Sequence, residues 1–295
     1  MSKGGDVLPV ITVVAMLMVL WYAAAIWMNA PFERDRAARA GQNITLSQLV
    51  QNTMAQSRPV LPAPHQVLRE IYKSTIERRI TSKRSLFYHA WITLSATLLG
   101  FAIGTMLGIA LAIGIVHNRA LSKSIMPWVI ISQTIPILAI APMIIVVLNA
   151  IGLSGLLPKA LISTYLSFFP VVVGMVKGLR APEPAQLDLM YTYNASSIQT
   201  LWKLRWPSSI PYLFTSLKVA IAIALVGAIV GELPTGAVAG LGARLLAGSY
   251  YGQTIQIWSA LFMAAVLAAA LVFLVGLAHS YVLSRMGENT TDFGR

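Results

Sequence analysis

Enzymatic chemistry needs nucleophiles, proton carriers or metal ligands in register, and this sequence offers few of them. Its four histidines, His65, His89, His117 and His279, stand at spacings that hold no metal. Three of them, His89, His117 and His279, lie near the ends of apolar runs, where an amphipathic ring is at home. There is no cysteine, so neither a thiolate site nor a disulfide is available. Ten acidic residues are scattered along the chain, and no G-x-x-x-x-G-K-[ST] phosphate loop occurs, so ATP hydrolysis is not expected of it. No catalytic residue, metal ligand or bound cofactor is assigned.

Polar residues inside apolar runs say more. Ser132, Gln133 and Thr134 precede Pro136, with Pro142 beyond, and read as a polar cluster beside two helix breaks. At membrane depth such groups are tolerated where they face protein or water, so the cluster is a candidate pathway lining, with helix-to-helix hydrogen bonding the equal alternative. Ser163, Thr164, Ser167, Phe168 and Phe169 lead to Pro170. Ser163, Ser167 and Phe168 are kept as pathway candidates, although core packing explains hydroxyls and rings there better. Glu232 closes an apolar run and opens a glycine-rich stretch to Gly242. A carboxylate before flexible backbone suits an outer gate or a partner contact, and equally a solvated helix end.

The sharpest pattern is the connection at 180–207, R-A-P-E-P-A-Q-L-D-L-M-Y-T-Y-N-A-S-S-I-Q-T-L-W-K-L-R-W-P. Glu183 and Pro184 open a first helix, Asn194 suits the left-handed residue that ends it, and Ser196 or Ser197 caps a second. Two short helices with a turn between them would carry Leu189, Met190, Tyr191 and Tyr193, a set suited to a groove on a soluble partner.

Elements that position these groups follow from composition. Of 295 residues, 57% are hydrophobic and 11% charged, against about a quarter charged in soluble domains. Six apolar runs, at 8–28, 89–116, 125–150, 156–176, 211–231 and 255–283, are long enough to span a bilayer, and all should be helices because backbone groups in hydrocarbon must be satisfied within the segment. The chain is thus read as an all-α membrane protein. The first run is read as a retained anchor rather than a cleaved signal. With the amino terminus in the cytoplasm, Arg119, Lys123, Lys177, Arg180, Lys203, Arg205 and Arg285 fall inside. The outer connection nevertheless holds ten basic residues between Arg34 and Arg84, against that rule. The formal charge of +12 belongs to loops beside lipid, so nucleic acid is not expected as a partner. Leu68, Ile71, Tyr72, Thr75, Ile76 and Ile80 repeat at helical spacing beside Arg69, Lys73, Arg78 and Arg79, a basic amphipathic helix for a membrane surface. Residues 32–60 read as an irregular polar insertion. The segments are then an anchor at 1–30, an extracytoplasmic connection at 31–88, a core at 89–283 and a cytoplasmic tail at 284–295. No span shows a charged residue in its central region, which disfavours an ion-coupled secondary transporter.

The 180–207 connection resembles the cytoplasmic motif of permeases of binding-protein-dependent ATP-binding-cassette importers. Asp188-Leu189-Met190 stands where that motif has Glu-Ala-Ala, Asn194 where it has glycine, and Trp206-Pro207 where it has Leu-Pro. Leu61-Pro-Ala-Pro64, Gly100-Phe101 to Gly108, Gln133-Thr-Ile-Pro136 with Ala141-Pro142, and Glu232 with Gly240-Leu-Gly242 are similar to the nitrate, taurine and aliphatic-sulfonate branch. The resemblance implies a type I importer permease fold in the bacterial inner membrane, with an ABC ATPase subunit that uses the ATP, an extracytoplasmic solute-binding protein and a second permease copy as partners. It implies that Asp188, Leu189, Met190, Tyr191, Asn194, Ala195, Ser196 and Pro207 couple the ATPase to the spans. The departures from the motif bear on which ATPase is accepted. A nitrogen heterocycle such as a pyrimidine or vitamin precursor is the expected solute, with a small anion (nitrate, taurine, sulfonate) as the alternative.

Overall fold

The structure is a computed structural model and describes residues 7–234 and 238–287. Among them, five helices are long and apolar enough to cross a membrane, or six if one bent helix pair is counted as a single span. The chain divides into two compact units, Met1–His89 with Arg244–Met263 and Ala90–Ala243 with Ala264–Arg295. This differs from the segmentation expected above, because residues 244–263 belong with the N-terminal segment instead of the core.

In the first unit, α1 (Val7–Arg39) runs unbroken through Pro31. At about 1.5 Å per residue its 33 residues make roughly 50 Å, well beyond the roughly 30 Å of a hydrocarbon core. The expectation of an irregular segment at 32–60 is therefore corrected: α1 continues to Arg39 and is followed by α2 (Leu46–Ala55). The reason is tertiary. Glu33 is buried and accepts a hydrogen bond from Gln56 Nε2 at 2.7 Å, while Ala37 and Leu49 close the contact between the two helices. Asn29, also buried, pins the following strap, donating to Leu61 O at 2.8 Å and accepting from the Val60 amide at 2.7 Å.

Next comes α3 (Pro64–Tyr72), extended by a single π-helical stretch at Lys73–Glu77. Leu68, Tyr72 and Ile76 stand exposed at four-residue intervals, while Val67 and Ser74 face inward. Ile80 lies beyond the helix, which is therefore shorter than the 68–80 periodicity suggests. In the same unit, Trp21 packs on Trp258 and Phe262, and Arg244 pairs with Glu70 at 4.0 Å.

The second unit is organised by α4 (Leu86–His117), α7 (Leu156–Leu179) and α10 (Trp206–Gly231). Small residues bring them into backbone contact. A Cβ on Gly108 would meet Val171 at 2.7 Å, and one on Gly178 would meet Ser209 at 2.9 Å. Hydroxyls bridge the contacts, Ser163 Oγ donating to Ala224 O at 2.8 Å and Thr164 Oγ1 to Gly100 O at 3.1 Å.

The expected span at 125–150 is in fact two helices, α5 (Arg119–Ser132) and α6 (Ile137–Ala150), bent by 99°. Pro136 lacks an amide and excludes the preceding backbone from a helix, so the chain turns there. Pro142, expected to be a second break, sits inside α6 without interrupting it. The remaining elements are α8 (Pro184–Thr192), α9 (Ser197–Thr200) leading through a π-helical stretch at Leu201–Arg205 into α10, α11 (Leu241–Tyr250) and α12 (Thr254–Met286).

Candidate functional site

Two ends of the second unit carry the candidate residues. At one end, the α7–α8 corner leads into the bend formed by α8 and α9. Gln186 Oε1 accepts the Glu183 amide at 3.0 Å and opens α8. Asn194 closes it in the left-handed region at φ 51°, the single non-glycine residue with positive φ among the described residues. Ser196 caps α9, its Oγ accepting the Gln199 amide at 3.3 Å, while Gln199 Oε1 accepts the Ser196 amide at 2.8 Å. The bend is thus set by local hydrogen bonds, yet α8 buries none of its residues. Tyr191 is 86% exposed and Tyr193 77%, with Leu189, Asp188 and Ile198 exposed beside them.

The bend is also fastened to the core. Arg205 Nη1 donates to Leu179 O at 2.8 Å, satisfying the carboxyl end of α7, and Arg180 Nη2 donates to Ser122 Oγ on α5 at 3.1 Å. A cavity of about 260 Å³ lined by Val116, His117, Ala195, Ser197, Thr200 and Arg205 lies behind it, which puts the carboxyl end of α4 at this end.

At the opposite end, Glu232 follows the last residue of α10 and is fully buried, so it is not a solvated helix end. Thr93 Oγ1 points its hydroxyl at both carboxylate oxygens, 3.0 and 2.9 Å away, and itself accepts the Leu241 amide at 2.9 Å. The Gly242 amide donates to Oε2 at 2.9 Å. Lys159 Nζ stands 3.7 Å from Oε1 and donates to Ala239 O at 3.0 Å. Gly240, at φ 131°, passes so close that any Cβ would overlap the carboxyl group. Burial pushes the carboxyl up to about 7, against the opposing pull of Lys159, the Gly242 amide and Thr93. One carboxyl group therefore ties α4, α7, α10 and the approach to α11. An open cavity of about 520 Å³ adjoins it, walled by Trp91, Ile92, Ile145 and Val238, with Asn149 and Lys159 as polar members.

Ser132, Gln133, Thr134 and Pro136 fall at the α5–α6 bend, the last three exposed. The carbonyl of Ser132, freed by the bend, accepts the hydroxyl of Tyr165. Ser163 and Ser167 are removed from the pathway candidates: both are fully buried between α4, α7 and α10, where their hydroxyls serve helix contacts. Phe168 is half-buried and packs on the core of this unit. Thr93, Lys159 and Tyr165 are absent from the sequence-derived set.

The expectation of spans free of central charge is also corrected. Because α10 starts at Trp206, Lys218 stands at its midpoint, half-buried. Gly276 of α12 faces it: a Cβ there would lie 3.8 Å from Lys218 Cε. Phe214, one turn away on α10, stacks on His279 at 5.2 Å between ring centroids.

The described spans are all helical, the α5–α6 pair is bent at Pro136, and the α8–α9 bend is capped with no residue of α8 buried. The match of residues 104–288 to the family described as "Binding-protein-dependent transport system inner membrane component" shows that this chain belongs to that family. It is a multi-pass inner-membrane permease of the ATP-binding-cassette importer class. It is 30% identical over 228 residues, 77% of this chain and 75% of the relative, to the formylaminopyrimidine transport permease protein ThiX of Halalkalibacterium halodurans. It is 31% identical over 218 residues, 74% and 77% respectively, to the riboflavin transport system permease protein RibX of Chloroflexus aurantiacus. In fold it is similar to a chain of the MetNI methionine ABC transporter in an inward-facing conformation, with TM-score 0.56 and 18% identity over 66% of this chain and 93% of that one.

Proposed function

We propose that two copies of this permease enclose the solute path, that an ATPase subunit docks on each α8–α9 bend, and that a solute-binding protein delivers solute at the Glu232 end. The observation that carries this reading is α8 itself: a helix with no buried residue, locked at Asn194 and fastened to α7 through Arg205. Surface helices held this firmly, with tyrosines and a leucine facing out, are suited to a groove on another protein. Asp188, Leu189, Met190, Tyr191, Asn194, Ala195 and Ser196 form the docking surface, and Pro207 begins α10, the helix that receives the motion. The α5–α6 bend with Ser132, Gln133, Thr134 and Pro136 lines the path, since polar groups at a broken helix are stable where water reaches them. Glu232 holds the opposite end closed until movement of α10 draws it from Thr93 and Lys159. The ATP is held by the partner, and this chain binds no cofactor of its own.

Co-purification tests the docking: an ATPase subunit accompanies the wild-type permease and is lost when residues 188–194 are replaced, and its retention by that variant would remove the assignment. For solute, the names of the two relatives favour a nitrogen heterocycle, a formylaminopyrimidine or a flavin. Lys218 and His279 give the spans a basic pair, so an anion is not disfavoured by the spans' charge. A thermal-shift screen of the cognate binding protein against pyrimidines, flavins, nitrate and taurine decides between heterocycle and anion.

A further inference from the structure

Lys218 is an ammonium at the middle of a membrane-spanning helix, a place where charge is costly unless compensated. No carboxylate among the described residues pairs with it. Of its ten acidic residues, those described are Glu33, Asp35, Glu70, Glu77, Glu183, Asp188 and Glu232, and none of them lies within the central part of a span. Glu232, at the end of the same helix, is engaged by Lys159, Thr93 and Gly242. Among the described residues, Lys218 takes part in neither of the two ion pairs. A second copy of this chain brings the same acids at the same depths and adds nothing.

A second unsatisfied group stands beside it. The Nε2 atom of His279 on α12 is buried with no hydrogen-bond partner. Its ring is held flat against Phe214, four residues before Lys218 on α10. The lysine stem passes Gly276, three residues before His279 on α12: a Cβ there would lie 3.8 Å from Lys218 Cε. Lys218 and His279 therefore stand side by side where α10 meets α12, the lysine nitrogen needing an acceptor and His279 Nε2 donating or accepting according to its tautomer.

We propose that this junction of α10 and α12 is a binding site for a single anionic group, a phosphate or carboxylate, held by the Lys218 ammonium and by His279 in the tautomer that donates from Nε2. The same chemistry fits the phosphodiester headgroup of an anionic lipid and an acidic group on a small solute. Neither is one of this chain's described side chains, none of which brings an acid to the middle of a span. The site is independent of the docking of an ATPase on α8.

The test uses the purified permease in nanodiscs, with Lys218→Met as a variant of matching length that is at home in a span. In the lipid arm, phosphatidylcholine discs are compared with discs containing phosphatidylglycerol, and native mass spectrometry counts retained phosphatidylglycerol. In the solute arm, phosphatidylcholine discs receive sodium phosphate or sodium nicotinate, with sodium chloride at matched ionic strength and nicotinamide as controls. Saturation of a site present only in the folded state should raise the melting midpoint by at least about 3 °C in one arm. That shift should vanish in Lys218→Met and shrink in His279→Phe, which keeps the stacking but not the nitrogen. Retained phosphatidylglycerol assigns a lipid, and a shift with nicotinate but not nicotinamide assigns an acidic solute. No difference between wild type and Lys218→Met in either arm would overturn the site, leaving a lysine that reaches the headgroup region without a specific ligand.

Discussion

Glu232 shows how one residue sets the behaviour of one end of the second unit. Because burial raises its folded pKa to about 7 from the usual 4.5, the folded state holds more protons than the unfolded state between those values. Stability contributed by the protonated carboxyl is complete below about pH 4.5 and is lost as pH rises through about 7. Thermal melts of the solubilised permease should therefore fall in midpoint between pH 5 and pH 7.5, and Glu232→Gln should flatten that slope; a slope unchanged in the variant would refute the assignment. Gly240→Ala should cost about 1–3 kcal/mol, because its Cβ overlaps the carboxyl group and φ 131° disfavours any side chain. Denaturation of Gly240→Ala beside Gly252→Ala, a positive-φ glycine with open space around it, separates overlap from backbone strain. The acid before a glycine run was visible in the sequence, but its surroundings were not. Thr93 lies 139 residues away, and no local pattern marks a threonine for a partner that only the helix packing supplies.

At the scale of elements, the α8–α9 bend was the most legible part, since its caps are local: an acid and proline to start, an asparagine to turn, a serine to restart. Asn194→Val should damage it, as a β-branched residue resists left-handed backbone at roughly 1–2 kcal/mol, whereas Asn194→Gly should keep it. In co-purification, Asn194→Val should lose the ATPase subunit and Asn194→Gly should retain it. Tyr191→Ala should also weaken the partner while leaving the melting midpoint of the permease alone within about 0.5 kcal/mol of stability, since an 86% exposed ring supports nothing inside the chain. Helices made by tertiary contact were harder to read. Residues 32–60 carry only a short apolar repeat, Leu46, Leu49, Val50 and Met54, in polar sequence, and the contacts that hold them include buried polar residues, Asn29 and Glu33, whose type suggests exposure. Prolines read unevenly: Pro136 ends a helix as expected, whereas Pro142, expected to break one, is carried inside a helix like Pro31 and Pro170, where neighbouring elements supply the packing that a lone helix lacks.

For the whole molecule, the open physical question is which way it faces, and the sequence argues against itself. Short loops and span ends place basic residues on the side of Tyr193, yet ten more, from Arg34 to Arg84, lie across the membrane from them if α1 spans. An ATPase docked on α8 as proposed would put the bend in the cytoplasm. The chain has no cysteine, so single cysteines report orientation without background. Ala40→Cys, in the turn after α1, Tyr251→Cys, between α11 and α12, and Tyr193→Cys all fall at exposed positions. A membrane-impermeant maleimide applied to intact spheroplasts should label Ala40→Cys and Tyr251→Cys at once and Tyr193→Cys only after permeabilisation. The reverse pattern would put the bend on the outer face, out of reach of any nucleotide-driven partner, and Glu232 on the inner one. The expected pattern would mean that the basic connection stays outside because six spans and a fixed docking side outweigh the charge rule, which weakens for connections approaching about 60 residues.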